Sequence, residues 1–275
     1  MPHNLSLSDA FRHVLPNVFL FDGGRYVIAT AVMSAILWLV HRTWLRARII
    51  QDRRPGRADY GREMLTSLRS VMIYALVSTP ALWLQSNGYT VGQFAGKATA
   101  PIIALYVVAL LIAHDAYFYW THRAMHDPRL FKRWHRTHHR SVTPTPFAAY
   151  AFDWREAIVQ AFFVSAWFCL VPTPFLAMFI FLGIMIVRNV WGHSGTELHP
   201  HGMADHPFWG LFTTTVHHDL HHSGGFSHNY GLYFTWWDRM MGTEHPRYRA
   251  IFREVTARSA REPGGLGVAR VLPAE

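Results

Sequence analysis

The sequence predicts an all-α integral membrane protein: a bundle of apolar helices carrying a helical cap, rich in histidine, on its cytoplasmic side. Three observations lead there. Of the 275 residues 51% are apolar and only 16% are charged, against about 25% charged in a typical soluble domain, so much of the surface is suited to lipid. The histidines recur at i, i+3 and i+4, the spacing that brings side chains onto one helical face. Eight arginines lie between the first two apolar runs, where a membrane protein carries its cytoplasmic loop.

The apolar runs cover residues 26–40, 71–84, 98–113, 157–171 and 175–187. Each is shorter than the roughly 20 residues of a full crossing, but the third extends helically through "HDAYFYW" to spanning length. The last two read as a hairpin whose turn is set by Pro172 and Pro174. Arg42, Arg46, Arg48, Arg53, Arg54, Arg57, Arg62 and Arg69 mark the inner loop. From that loop the second run leads outward and the third inward, and the hairpin returns to the side it left. Every histidine cluster is therefore expected at one cytoplasmic face. No run carries a GxxxG-type spacing that would argue a dimer face, so the oligomeric state stays open.

The formal charge of +9 fits an anionic membrane surface, and no recognised nucleic-acid motif accompanies it. The single cysteine, Cys169, rules out an intrachain disulfide and a thiolate metal site. The N-terminus lacks the pattern of a cleaved secretory signal. The expected organisation is an N-terminal transmembrane region with its basic loop over residues 1–98, a catalytic domain over 99–250, and an irregular Arg-, Gly- and Pro-rich tail over 251–275.

Three clusters carry the chemistry. "HRAMH" places His122 and His126 at i, i+4; "HRTHH" holds His135, His138 and His139; "VHHDLHH" repeats that interval at His218, His221 and His222. His193, in "NVWGHSGTE", follows the hairpin and makes a ninth candidate. A catalytic zinc takes about three protein ligands and a structural one about four, so this set is large enough for two metals. Imidazole donors suit iron, copper, zinc or nickel and disfavour magnesium and calcium; donor type leaves the four open. Carboxylates are expected to orient the rings, with Asp115 and Glu197 the leading candidates and Asp219 and Asp238 behind them. His217 and His114 are weaker candidates for ligation. His199, His201, His206 and His228 share no repeated spacing and read as structural or interfacial. Tyr117, Phe118, Tyr119 and Trp120 read as interfacial packing.

Competing readings are a tag-like histidine tract, a metal transporter and a zinc-dependent membrane hydrolase. The repeated spacing opposes the first. Transport sites lie near mid-bilayer, whereas these clusters fall beyond the apolar runs. A hydrolase needs only about three protein ligands and a base.

The segments "HDAYFYWTHRAMH", "HRTHHRSVTPTPFAAYAFDW", "NVWGHSGTE" and "HHDLHHSGGFSHNYGLYFTWWDRMMGT" together resemble the sterol desaturase and fatty acid hydroxylase superfamily of membrane non-haem di-iron oxygenases. The resemblance covers about residues 114–243. "PTPFAAYAF" is most similar to the sterol C5-desaturase branch. The resemblance implies two iron ions, with zinc able to take their place, and O₂ as co-substrate. Its metal ligands fall on His122, His126, His135, His138, His139, His193, His218, His221 and His222. The implied substrate is a membrane lipid, sterol-like or fatty acyl, hydroxylated or desaturated at a C–H bond. A separate electron donor is implied, either cytochrome b5-like, a ferredoxin or a reductase, because no haem-binding segment is recognisable in the N-terminal half.

Overall fold

The computed structural model describes residues 5–258. The chain is all-α, with no β-strand among the described residues and only two isolated bridges, Ile49 to Thr196 and Phe212 to Phe234. Four helices are long and apolar enough to cross a membrane: α1 (Leu7–Val40), α2 (Arg57–Ser86), α3 (Ala100–Met125) and α7 (Phe175–Gly192). Between them come α4 (Pro128–Trp134), α5 (Arg136–His139) and α6 (Trp154–Leu170). The cap is completed by α8 (Thr215–Ser223), α9 (Trp236–Met240) and α10 (Tyr248–Ala257).

The helices outrun the apolar segments because polar residues are absorbed at their ends. In α1, Pro16 lacks the N–H that an unbroken α-ladder would use, and the helix widens into a π-turn over Ala10–Val14 immediately before it. Gly56 begins α2, where the Asp59 side chain accepts from the Gly56 amide. Asp127, Asp153 and Thr214 are themselves the N-caps of α4, α6 and α8, their side chains accepting the amides of Arg129, Arg155 and His217. Ends held in this way let the chain turn sharply between membrane helices and cap.

Tyr26, Met33 and Leu37 form one buried stripe of α1 and pack with Val71 and Tyr74 of α2 and Tyr150. The opposite faces stay bare. Ile28 is 65% exposed, Leu65 69% and Leu105 67%, a distribution that water would penalise and hydrocarbon accepts. A second core joins α8 to α10 through Val216, Leu220, Ile251, Phe252 and Val255; each such burial contributes about 1.5–3 kcal/mol. That core corrects one expectation. The chain is helical to Ala257, because Ile251, Phe252 and Val255 share one face and bury it; residues 259–275 of the expected tail lie outside the described residues.

The helix ends sort cleanly. Ile50 donates its amide to the Gly195 carbonyl and the Glu197 amide bonds to Arg48, so the arginine-rich loop lies against the segment that follows His193. At the far end, Trp83 Nε1 bonds to the Leu5 carbonyl and the Val91 amide to that of Cys169. The α6–α7 hairpin therefore runs the depth of the bundle. All the histidine clusters gather at the end bearing the basic loop.

Candidate metal centre

HRAMH closes α3, HRTHH straddles the α4–α5 junction, His193 follows α7, and three histidines of α8 face inward from the cap. The nine rings form two adjoining groups. His122, His126, His135, His139 and His221 make one, and His138, His193, His218 and His222 the other; within each group the candidate ligand atoms lie within 4.8 Å of one another. The groups touch where the His139 and His222 rings approach to 4.8 Å between centroids.

Ring nitrogens face each other at close range. His122 Nε2 lies 3.0 Å from His135 Nε2, and His126 Nε2 3.2 Å from His139 Nε2. His193 Nε2 lies 3.3 Å from His138 Nε2 and 3.0 Å from His218 Nε2, which is itself 3.2 Å from His222 Nε2. Three rings have their tautomer set by a backbone carbonyl. His122, His193 and His221 donate Nδ1–H to the carbonyls of Tyr230, Asn189 and His228 at 2.9, 2.7 and 2.7 Å. Their Nε2 atoms are consequently lone-pair donors, and that of His221 is buried with no partner. Nitrogens sharing one cation at about 2.1 Å lie about 3.0–3.4 Å apart for angles between 90° and tetrahedral. The donor set fits a nitrogen-preferring transition metal in each group.

Electrostatics agree with neutral rings. Burial, followed by neighbouring imidazoles, holds His135, His138, His139, His218 and His222 well below the ordinary imidazole range. Burial also depresses His221 strongly and His193 to about 4. A neutral imidazole is the form that binds metal.

A cavity of about 530 Å³ lies among the membrane helices; none of the nine histidines lines it, and Phe118 and Phe152 stand between it and their rings. At its upper end Phe118 packs 4.9 Å from the His122 ring and Phe152 5.0 Å from that of His138. Asn189, whose carbonyl holds His193, also lines it. The lower end reaches Phe168 and Phe175 at the α6–α7 turn.

The fatty acid hydroxylase family model matches residues 107–243, the stretch that contains all nine histidines. The mouse lathosterol oxidase is 32% identical over 195 residues, covering 67% of this chain and 61% of that protein. The chain belongs to the sterol desaturase and fatty acid hydroxylase superfamily. Human lathosterol oxidase is 25% identical over 245 residues, covering 86% of this chain and 76% of its own. The Aspergillus fumigatus Delta(7)-sterol 5(6)-desaturase erg3B is 29% identical over 195 residues, 69% of this chain and 55% of its own. The chain thus spans less than two thirds of the mouse and fungal relatives. No solved structure matches it.

This superfamily member uses its acids mainly to hold backbone. Asp115 accepts the amides of Tyr233 and Phe234 and the Trp236 indole N–H. Asp238 accepts the amides of Tyr230 and Gly231, both at 2.9 Å. Together they hold the loop whose Tyr230 carbonyl orients His122. Gly231 is required there, since a Cβ would lie 2.4 Å from the Phe234 carbonyl oxygen. Glu197 accepts the Val216 amide in the first turn of α8 and bonds His199. Asp219 accepts from Gln51. None of these four meets a ring of the nine. His114 bonds instead to the Tyr233 hydroxyl, and His217 faces Asp238 at 3.4 Å.

The acid that does reach one of the nine rings is Glu156, missed in the sequence. Its Oε1 lies 2.7 Å from His135 Nδ1, close but short of a well-directed hydrogen bond. Its signal was faint: with Asp153 already capping α6, a second acid in that first turn had no local task.

Proposed function

We propose that this chain is an O₂-dependent membrane oxidoreductase that hydroxylates or desaturates a C–H bond of a sterol-like lipid. The observation that carries the reading is the pairing of two groups of neutral histidines with a lipid-sized cavity that ends one aromatic layer, Phe118 and Phe152, away from them. The sterol-acting names of the relatives support the lipid class. His122, His126, His135, His139 and His221 would hold one iron, and His138, His193, His218 and His222 the other. Iron bound there supplies O₂ activation and hydrogen removal from an unactivated C–H bond.

The remaining tasks belong to the chain. The carbonyls of Tyr230, Asn189 and His228 keep three Nε2 lone pairs aimed inward, as ligand orientation demands. Phe118 and Phe152 separate the rings from the cavity with an apolar layer that excludes water. The bare helix faces hold the cavity within the bilayer, where its substrate dissolves. The basic loop at the histidine end supports a cytoplasmic position for that end by the positive-inside preference. Electrons then arrive from a separate protein on that side.

The test compares lipids of cells expressing the wild-type chain and the His138→Ala variant, with and without air, beside metal analysis of the purified protein. Expected are iron at about two per chain, and a lipid that loses two hydrogens or gains one oxygen only in the aerated wild type. Zinc-supported, oxygen-independent turnover would overturn the reading.

A further inference from the structure

An ion pair sits where a membrane helix least favours one. Asp22 and Arg25 lie near the middle of the 34-residue α1, pair with each other, and touch none of the nine histidines. Ionisable groups within membrane spans are costly, and they characteristically face a bundle interior or cavity where they serve a function. These two line the cavity described above, together with Tyr150 and Gln160.

Three of those residues, from three separate elements, carry a buried polar atom with no hydrogen-bond partner: Arg25 Nε, Tyr150 Oη and Gln160 Nε2. Buried polar atoms in folded proteins are nearly always paired. Three unpaired ones in the wall of a single, predominantly apolar cavity point to a partner from outside the chain. Arg Nε and Gln Nε2 can only donate, and the Tyr hydroxyl can do so, so the missing partner is an acceptor oxygen. Its charge is also constrained. The Arg25 charge is already met by Asp22, and Arg25 Nη1 bonds to the Leu182 carbonyl at 2.8 Å. A carboxylate or phosphate would bring a second negative charge beside Asp22, whereas a hydroxyl or ketone oxygen would not.

Placement adds a further restriction. Tyr150 belongs to the Pro146–Tyr150 turn, and its ring lies 6.4 Å from that of Phe152, which packs on His138. The turn is held rigidly: its Phe147 carbonyl accepts from Tyr26 and Ser67, and its Ala149 carbonyl from Asn189. Tyr150 is thus separated from the centre by one aromatic ring, Phe152. Most of the cavity extends the other way, toward Phe168 and Phe175.

We propose that Arg25, Tyr150 and Gln160 form a polar subsite that binds the hydroxyl or ketone oxygen of an uncharged lipid, oxygen end toward the metal centre and hydrocarbon body toward the α6–α7 turn. It rests on the lipid-oxidising function proposed above and deepens it. The carbon presented for oxidation is then close to the oxygen-bearing carbon, and a lipid without that oxygen loses its register.

The experiment measures equilibrium binding to the full-length purified protein, kept anaerobic so that nothing turns over. The probes are radiolabelled cholestanol, its deoxygenated counterpart cholestane, and palmitate. Expected is a preference for cholestanol over cholestane of at least about tenfold, the yield of one or two hydrogen bonds. The Tyr150→Phe/Gln160→Leu variant should reduce that preference to about twofold or less. Tyr150→Phe alone serves if the double variant misfolds. It should reduce the preference by about threefold or more while leaving the unliganded thermal midpoint little changed, because the hydroxyl it deletes has only the Arg25 side chain beside it and no well-formed hydrogen bond. Equal binding of the two probes, a preference unchanged by the variants, or tighter binding of palmitate would overturn the subsite. Lipid oxidation by a wild type that shows no such preference would separate that failure from failure of the oxidoreductase reading.

Discussion

Glu156 Oε1 lies 2.7 Å from His135 Nδ1, with both side chains 1% exposed. No other carboxylate among the described residues is paired with one of the nine histidines at this range. The acid belongs to the hairpin helix α6 and the ring to the α4–α5 junction, so this contact ties the membrane layer to the cap. Glu156→Gln preserves size and replaces the carboxyl group, whose pKa burial raises well above the usual range, with an amide. Metal affinity is expected to fall by about tenfold to a hundredfold, the usual cost of losing a group that orients a ligand. Titration with a competing chelator measures it, and an unchanged affinity in a folded variant would show that His135 needs no such support.

The division into two groups predicts separable metal losses. His193→Ala removes a ring whose Nε2 meets both His138 and His218. Bound metal should drop toward about one per chain, with turnover abolished. His126→Ala should do the same from the other group. Retention of the full complement by either variant, measured by mass spectrometry of the metal, would contradict two sites.

Asp238 accepts two loop amides and the Thr243 hydroxyl. Asp238→Ala leaves those donors buried and unpaired, at about 1–3 kcal/mol each. A loss of about 3 kcal/mol or more is expected, read as a lowered thermal midpoint. Because the loop carries the Tyr230 carbonyl that holds His122, metal content should fall with it. Stability equal to wild type would sink this account.

The metal-free protein should be acid-labile. Burial holds His135, His138, His139, His218, His221 and His222 well below the usual imidazole range, and His193 at about 4. In the unfolded chain these rings take up protons near pH 6.5. Below that pH the unfolded state binds more protons than the folded one, so stability falls as pH drops, by about 1.4 kcal/mol per unit for each ring involved. Above about pH 6.5 both states are neutral and the dependence vanishes. Thermal midpoints of chelator-treated protein across pH 5.5 to 7.5 check the sign; a flat profile would mean that the rings are already solvated.

The covalent pattern alone disclosed the all-α membrane class, because helical periodicity, apolar run length and arginine placement are local quantities. It also singled out eight histidines, since ligand type and i, i+3, i+4 spacing are written in contiguous residues, and marked His193 by its place after the hairpin. Tertiary structure decided which rings share a group: His138 and His139 are neighbours in sequence yet belong to different groups, a partition set by how α5 meets α8. It decided, too, that Asp115 and Glu197 hold backbone while Glu156 reaches a ring. An acid's partner depends on which distant donor is brought beside it, and no local periodicity encodes that. The cavity with its buried Arg25, Tyr150 and Gln160 exists only where three elements far apart in the chain enclose a common space.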